Sequence, residues 1–199
     1  VSALSASGLI LSGCTENANL NVGEWSLEYD AHANGIDISK GSKLIYDNVY
    51  AAAYKLADSV VSTRDYAKHH VSTKKINDHF GEGYHYEVTY TGNNLPVLVQ
   101  SFYVYPTKDY VLTDFTLEST SEMASNYMAP VNVDRMSEVL NQGENNRALF
   151  IPFDNDCWIR YQSHPLTFTE LTSYEVTAIF NNDDREAMVI GSVEHDSWK

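Results

Sequence analysis

The chain has 199 residues, 43% of them hydrophobic: enough for one large domain with a sizeable core, and too apolar for intrinsic disorder. A domain of this size hides roughly 70% of the surface its unfolded chain exposes, so no disulfide staple is required. Thirteen Lys and Arg against twenty-seven Asp and Glu leave a formal charge of −14, which repels nucleic-acid phosphates and anionic head groups. The densest basic stretch, Lys68 to Lys75, is diluted by His and Ser/Thr, so nucleic acid is excluded as a partner. An uncharged ligand approaches such a surface without penalty.

In chain order, the first feature is the small, apolar run Leu4 to Gly13, ending in Leu11-Ser12-Gly13-Cys14. It resembles the lipobox of bacterial lipoproteins, in which a short hydrophobic region and small residues precede a Cys that receives acyl chains. The run is too short to span a bilayer. Residues 1–14 therefore read as a lipoprotein signal truncated at its start, since no Met or basic region precedes it, with Cys14 as the lipidation site. Residues 15–24 read as a flexible polar tether. The expected location is the bacterial cell envelope, periplasmic or outer-surface, with a lipid anchor as the sole membrane attachment. Cys157 is then left as a buried free thiol.

From Trp25 onward the dominant period is two. Trp25 to Tyr29, Ile36 to Ser39, Lys43 to Tyr46 and Val71 to Ile76 are candidate strands. Tyr50 to Val61 is Ala-rich, which favours helix, but its β-like neighbours and Val60-Val61 tip it towards strand. Tyr84, Tyr86, Val88 and Tyr90 alternate with His85, Glu87 and Thr89, and Gly92-Asn93-Asn94 supplies a turn. Leu95 to Tyr105 and Tyr110 to Glu118 follow across a second polar turn, so the three segments predict an antiparallel meander. Met136 to Leu140 suits one helical turn. Ala148 to Pro152, Trp158 to Tyr161, Ser173 to Phe180 and Ala187 to Val193 are strands parted by Asn/Asp-rich loops. Many short strands about ten residues apart predict an all-β fold: a large two-sheet antiparallel β-sandwich, supersandwich-like, with few or no helices. It is expected to occupy 25–199 as one domain, clipped at its C-terminal end.

No nucleophile elbow, phosphate loop, dinucleotide fingerprint or zinc-protease motif is present in the sequence. His69, His70, His79 and His85 cluster, but neighbours in a strand point to opposite faces, so His69 and His70 cannot share an ion. No metal and no cofactor is expected. Asp154 and Asp156, two apart in an extended segment, share a side, with Trp158 and Arg160 close behind. Carboxylates, amides and an aromatic face are the mixture that binds sugars; an Asx-turn leading to a core Trp158 is the competing reading. Glu194 to Lys199 has a similar make-up, with Asp196 and Trp198; an exposed linker is the competing reading there.

Phe150 to Asp156, Trp158 to Tyr161 and Gly191 to Lys199, with Ser173 to Ala178 between them, resemble the N-terminal domain of family 36-type α-galactosidases, particularly lipoproteins of Bacteroides-like bacteria. The likeness is specific over 148–199 and general, at the level of β pattern, over 25–147. It implies a sandwich preceding a (β/α)8 barrel that hydrolyses terminal α-galactosides with retention. The catalytic carboxylates of that reaction belong to the barrel, which is missing here, so no catalytic residue is expected in this chain and the fragment alone should be inactive. The resemblance makes Asp154, Asp156, Trp158, Arg160, Asp196 and Trp198 candidates for a substrate-side rim, facing an oligosaccharide or galactoside in the protein's own barrel or in a neighbouring subunit of a homo-oligomer. The alternative is a stand-alone glycan-binding or adhesive surface lipoprotein.

Overall fold

A computed structural model of the chain describes residues 19–55, 59–134, 140, 145–153, 161–167 and 171–193. The described residues form fourteen strands in three antiparallel sheets, with one 3-10 turn at Thr63–Asp65 and no α-helix. The all-β expectation holds. The chain divides into two compact units, where the sequence reads as a single domain from residue 25: one holds 1–42 and 46–135, the other 43–45 and 136–199.

The larger unit is a two-sheet sandwich. Its first sheet contains β1 (Asn19–Val22), β2 (Trp25–Asp30), β3 (Gly35–Lys40), β4 (Lys43–Lys55) and β10 (Ser125–Asn132) in that order, with β5 (Ser59–Ser62) also paired to β4. β1 corrects the expected tether over residues 19–22: Leu20 and Val22 alternate with two Asn and are buried, so a core strand stands there. Hydrophobic rows run straight across this sheet, with Leu20 opposite Leu27, Leu27 opposite Ile38, and Tyr29 opposite Ile36. In β4 the Ala-rich segment is strand, as its neighbours suggested. Ala51, Ala52 and Ala53 are all buried, so small side chains suit a strand covered on both faces, and packing overrides helix propensity.

The second sheet is β6 (Lys68–Asp78), β7 (Gly81–Thr91), β8 (Val97–Val104) and β9 (Val111–Glu118), in sequence order. The last three are the predicted meander. Tyr86 pairs with Phe102 and Phe102 with Thr113; Tyr90 pairs with Leu98 and Leu98 with Leu117. These inward residues join Leu20, Leu27, Tyr29, Ile36 and Val49 of the first sheet in one core cluster. Tyrosine rings interlock within it, Tyr29 lying 6.3 Å from Tyr90 and Tyr66 6.1 Å from Tyr90. Burial pushes the Tyr29, Tyr86 and Tyr90 hydroxyls upward, so they stay neutral. A polar link also crosses the core, where the buried Gln100 side-chain amide donates to the Pro130 carbonyl at 2.8 Å.

At one end of the sandwich, the Trp25 indole N–H donates to the Lys108 carbonyl at 2.9 Å. Gly23 turns nearby with φ +59°, and a Cβ there would stand 2.5 Å from the Pro106 carbonyl oxygen. A left-handed turn and this close approach both require glycine.

The smaller unit carries a four-stranded sheet in the order β12 (Gln162–Pro165), β11 (Asn146–Phe150), β13 (Val176–Asn181), β14 (Glu186–Gly191). The predicted Asn/Asp loop closes its last hairpin. Asn181 Oδ1 accepts from the Asp183 and Asp184 amides at 2.8 and 3.1 Å, and Arg185 takes a left-handed φ of 56°. The predicted helical turn at 136–140 falls largely outside the described residues.

Candidate functional site

Alternation puts every second residue of β7, β8 and β9 on the face turned away from the core. Cross-strand register then assembles them into rows: His85 beside Tyr103, Glu87 beside Ser101 and Asp114, Thr89 beside Val99 and Thr116, and Val97 beside Glu118. These residues line an open depression of about 430 Å³. Among the described residues that line it are three carboxylates and one imidazole, and neither Lys nor Arg.

The His85 and Tyr103 rings are stacked, with centroids 4.6 Å apart and planes 10° from parallel. The Tyr103 hydroxyl donates to Asp114 Oδ2 at 2.6 Å, tying the ring to β9. Burial, with the Asp114 carboxylate beside it, pushes that hydroxyl up to about 12, so it remains a donor. His85 is only 8% exposed. Its Nε2 stands 3.8 Å from Glu87 Oε2, longer than a hydrogen bond, and has no hydrogen-bond partner among the described residues. Burial pulls the His85 imidazole below the ordinary histidine range, and the Lys74 cation acts in the same direction. The Glu87 and Asp114 carboxylates oppose them and lose.

One end of this face is closed by aromatic rings. Tyr105 lies against Gly83, with Phe80 5.9 Å from Tyr105 and Tyr110 6.4 Å from both. The Tyr105 hydroxyl donates to Asp78 Oδ2 at 2.7 Å. The arrangement offers a flat ring pair, hydroxyls and carboxylate acceptors on a rigid sheet. Hydroxyls and carboxylates are groups that hydrogen-bond hydroxylated molecules.

All six rim candidates from the sequence, Asp154, Asp156, Trp158, Arg160, Asp196 and Trp198, lie outside the described residues, as do Cys14 and Cys157. Of the clustered histidines, His69 packs on Tyr29 with centroids 4.6 Å apart while His70 pairs with Thr89 on the opposite face. The two neighbours diverge as alternation requires. Sequence reasoning met His85 only as one of the clustered histidines and did not pick out Glu87, Tyr103 or Asp114 as site residues. Their signal was the polar half of the alternation, which reads as an ordinary solvated face until register joins the strands.

Compared with known proteins, the chain matches no family model, no curated protein and no solved structure.

Proposed function

We propose that this chain is a non-catalytic, carbohydrate-binding β-sandwich of an exported, lipid-anchored, carbohydrate-active protein, and that the outer face of the β6–β9 sheet holds the saccharide. The observation that carries the reading is the depression itself: a stacked ring pair, carboxylates and hydroxyls with no cation among the described lining residues. The acidic balance of the whole chain favours the same uncharged class of ligand. Glu87 and Asp114 stand in one row but two strands apart, roughly 10 Å at the backbone. Their carboxylates serve this reading as acceptors for saccharide hydroxyls. The resemblance of 148–199 to the N-terminal domain of family 36-type α-galactosidases supports a parent enzyme that hydrolyses terminal α-galactosides with its own barrel. The stand-alone glycan-binding reading gains support from the depression being built wholly by strands of the larger unit.

Calorimetric titration of the purified chain with neutral galacto-, gluco- and manno-oligosaccharides tests the proposal. Saturable binding is expected, with Tyr103→Ala and Asp114→Asn each weakening it about tenfold, which is about 1.4 kcal/mol. Trp158→Ala and Trp198→Ala provide the contrast. If they abolish binding while Tyr103→Ala leaves it intact, the saccharide sits on the rim read from the sequence instead; no binding at all sinks the reading.

A further inference from the structure

The geometry points to a more particular ligand group, resting on the carbohydrate reading above: a vicinal diol of an uncharged saccharide spans His85 Nε2 and the Glu87 carboxylate, so occupancy requires neutral His85. Nε2 is a polar atom buried at the edge of the depression and left without a hydrogen bond among the described residues. Most buried polar atoms in folded proteins are satisfied, and of the described atoms left without a partner this one alone belongs to a residue lining the depression. Stacking on Tyr103 holds the imidazole in its plane.

The 3.8 Å gap to Glu87 Oε2 carries the argument further. A proton on Nε2 would draw the carboxylate into a short charge-assisted bond. The observed spacing is longer than such a bond, so Nε2 and Glu87 do not satisfy each other. Adjacent ring hydroxyls of a pyranose lie somewhat closer together than this gap, so one donates to Nε2 and its neighbour to Glu87 at ordinary hydrogen-bond length. A single hydroxyl has only one proton and satisfies one acceptor.

The charged and titratable groups facing His85 come from all four strands of the sheet. Lys74 of β6 is its register partner, Glu87 is two residues along β7, Tyr103 of β8 stacks on it, and Asp114 of β9 holds Tyr103. His70, Lys68 and Glu118 lie further along the same face. Burial and Lys74 keep the imidazole neutral at pH 7. On acidification the proton goes to Nε2, which becomes a donor towards Glu87 and no longer accepts from a ligand hydroxyl. The sign follows: ligand binding to neutral His85 lowers its pKa, and affinity falls by about tenfold per pH unit once the pH is below that of the free imidazole.

The test titrates the full chain with methyl hexopyranosides at neutral pH and in steps to mild acid, following the His85 Cε1–H resonance by NMR. Binding that is constant above the imidazole pKa and weakens below it, with the ligand shifting that pKa downward, is expected. His85→Gln, which keeps an acceptor but does not titrate, should flatten the acid limb. His85→Phe, which keeps the stacked ring but has no acceptor, should lose at least tenfold in affinity. Affinity that is flat or rises on acidification, a pKa raised by ligand, or full affinity in a folded His85→Phe variant overturns the diol assignment while leaving a glycan site standing. Should His85→Phe not fold, the wild-type pKa shift decides alone. Absence of any binding at neutral pH overturns both readings.

Discussion

Phe102→Ala is expected to remove about 3–5 kcal/mol of stability, the range for truncating a fully buried aromatic side chain. Phe102 lies in β8, between Tyr86 on one side and Thr113 on the other, and is 1% exposed. Its ring belongs to the cluster that joins both sheets, so the cavity would open at their contact, not at a margin where the surroundings can collapse. Domain stability is commonly about 5–15 kcal/mol, so the loss is a large share of it. Amide hydrogen exchange reads the effect locally: protection of the β7 and β8 amides should fall together by three orders of magnitude or so. A change of less than tenfold would mean that the two sheets do not share a core at Phe102.

Gly83→Ala should cost about 1–3 kcal/mol, the usual penalty for forcing an extra methyl into a filled space. Its Cβ would stand 2.6 Å from Tyr105 Cδ1 and 2.7 Å from the Val104 carbonyl oxygen. Both contacts are too short for a real Cβ, so the Tyr105 ring and the β7–β8 backbone pairing must both give. That ring is almost fully buried and its hydroxyl holds Asp78. The hydrogen bond from Tyr105 holds the Asp78 carboxyl below the usual carboxylate range. The substitution therefore leaves a second signature: the Asp78 carboxyl, titrated by NMR, should move up towards its ordinary value. Saccharide binding should weaken with it, since Gly83 is two residues from His85 on the same face. A variant with unchanged stability and an unchanged Asp78 titration would show that Tyr105 does not rest on Gly83.

The meander was legible because its strands alternate cleanly, and the residues at Tyr86, Val88 and Tyr90 identify their own buried face. Other strands carried no such pattern. β12 is Gln-Ser-His-Pro, four residues held by backbone pairing to β11. β10 includes Met128 and Pro130, and its pairing with β4 shifts register twice, so no period of two survives in its sequence. Asn19 to Val22 looked like tether because Asn flanks each apolar residue, although Leu20 and Val22 are spaced as a strand requires. The candidate site was harder still. Glu87 and Asp114 are far apart in the chain, and their meeting in one row depends on two strand registers that local sequence does not encode. His85 reads as one more polar residue on a solvated face; its burial comes from the Tyr103 ring lying flat against it.

If Cys14 carries lipid as proposed, the early start of β1 at Asn19 makes for a short leash. With lipid on Cys14, the chain has five residue steps to Asn19, a reach of about 17 Å even when fully stretched. The lipid head groups occupy several ångströms of that span. The sandwich would then hang close to the bilayer with β1, an edge strand of its sheet, as the element nearest the anchor. Exposed strand edges invite pairing with other chains, and a membrane held this close leaves little room for a second strand to dock there. Under the proposed anchoring, so short a mooring would double as protection of that edge.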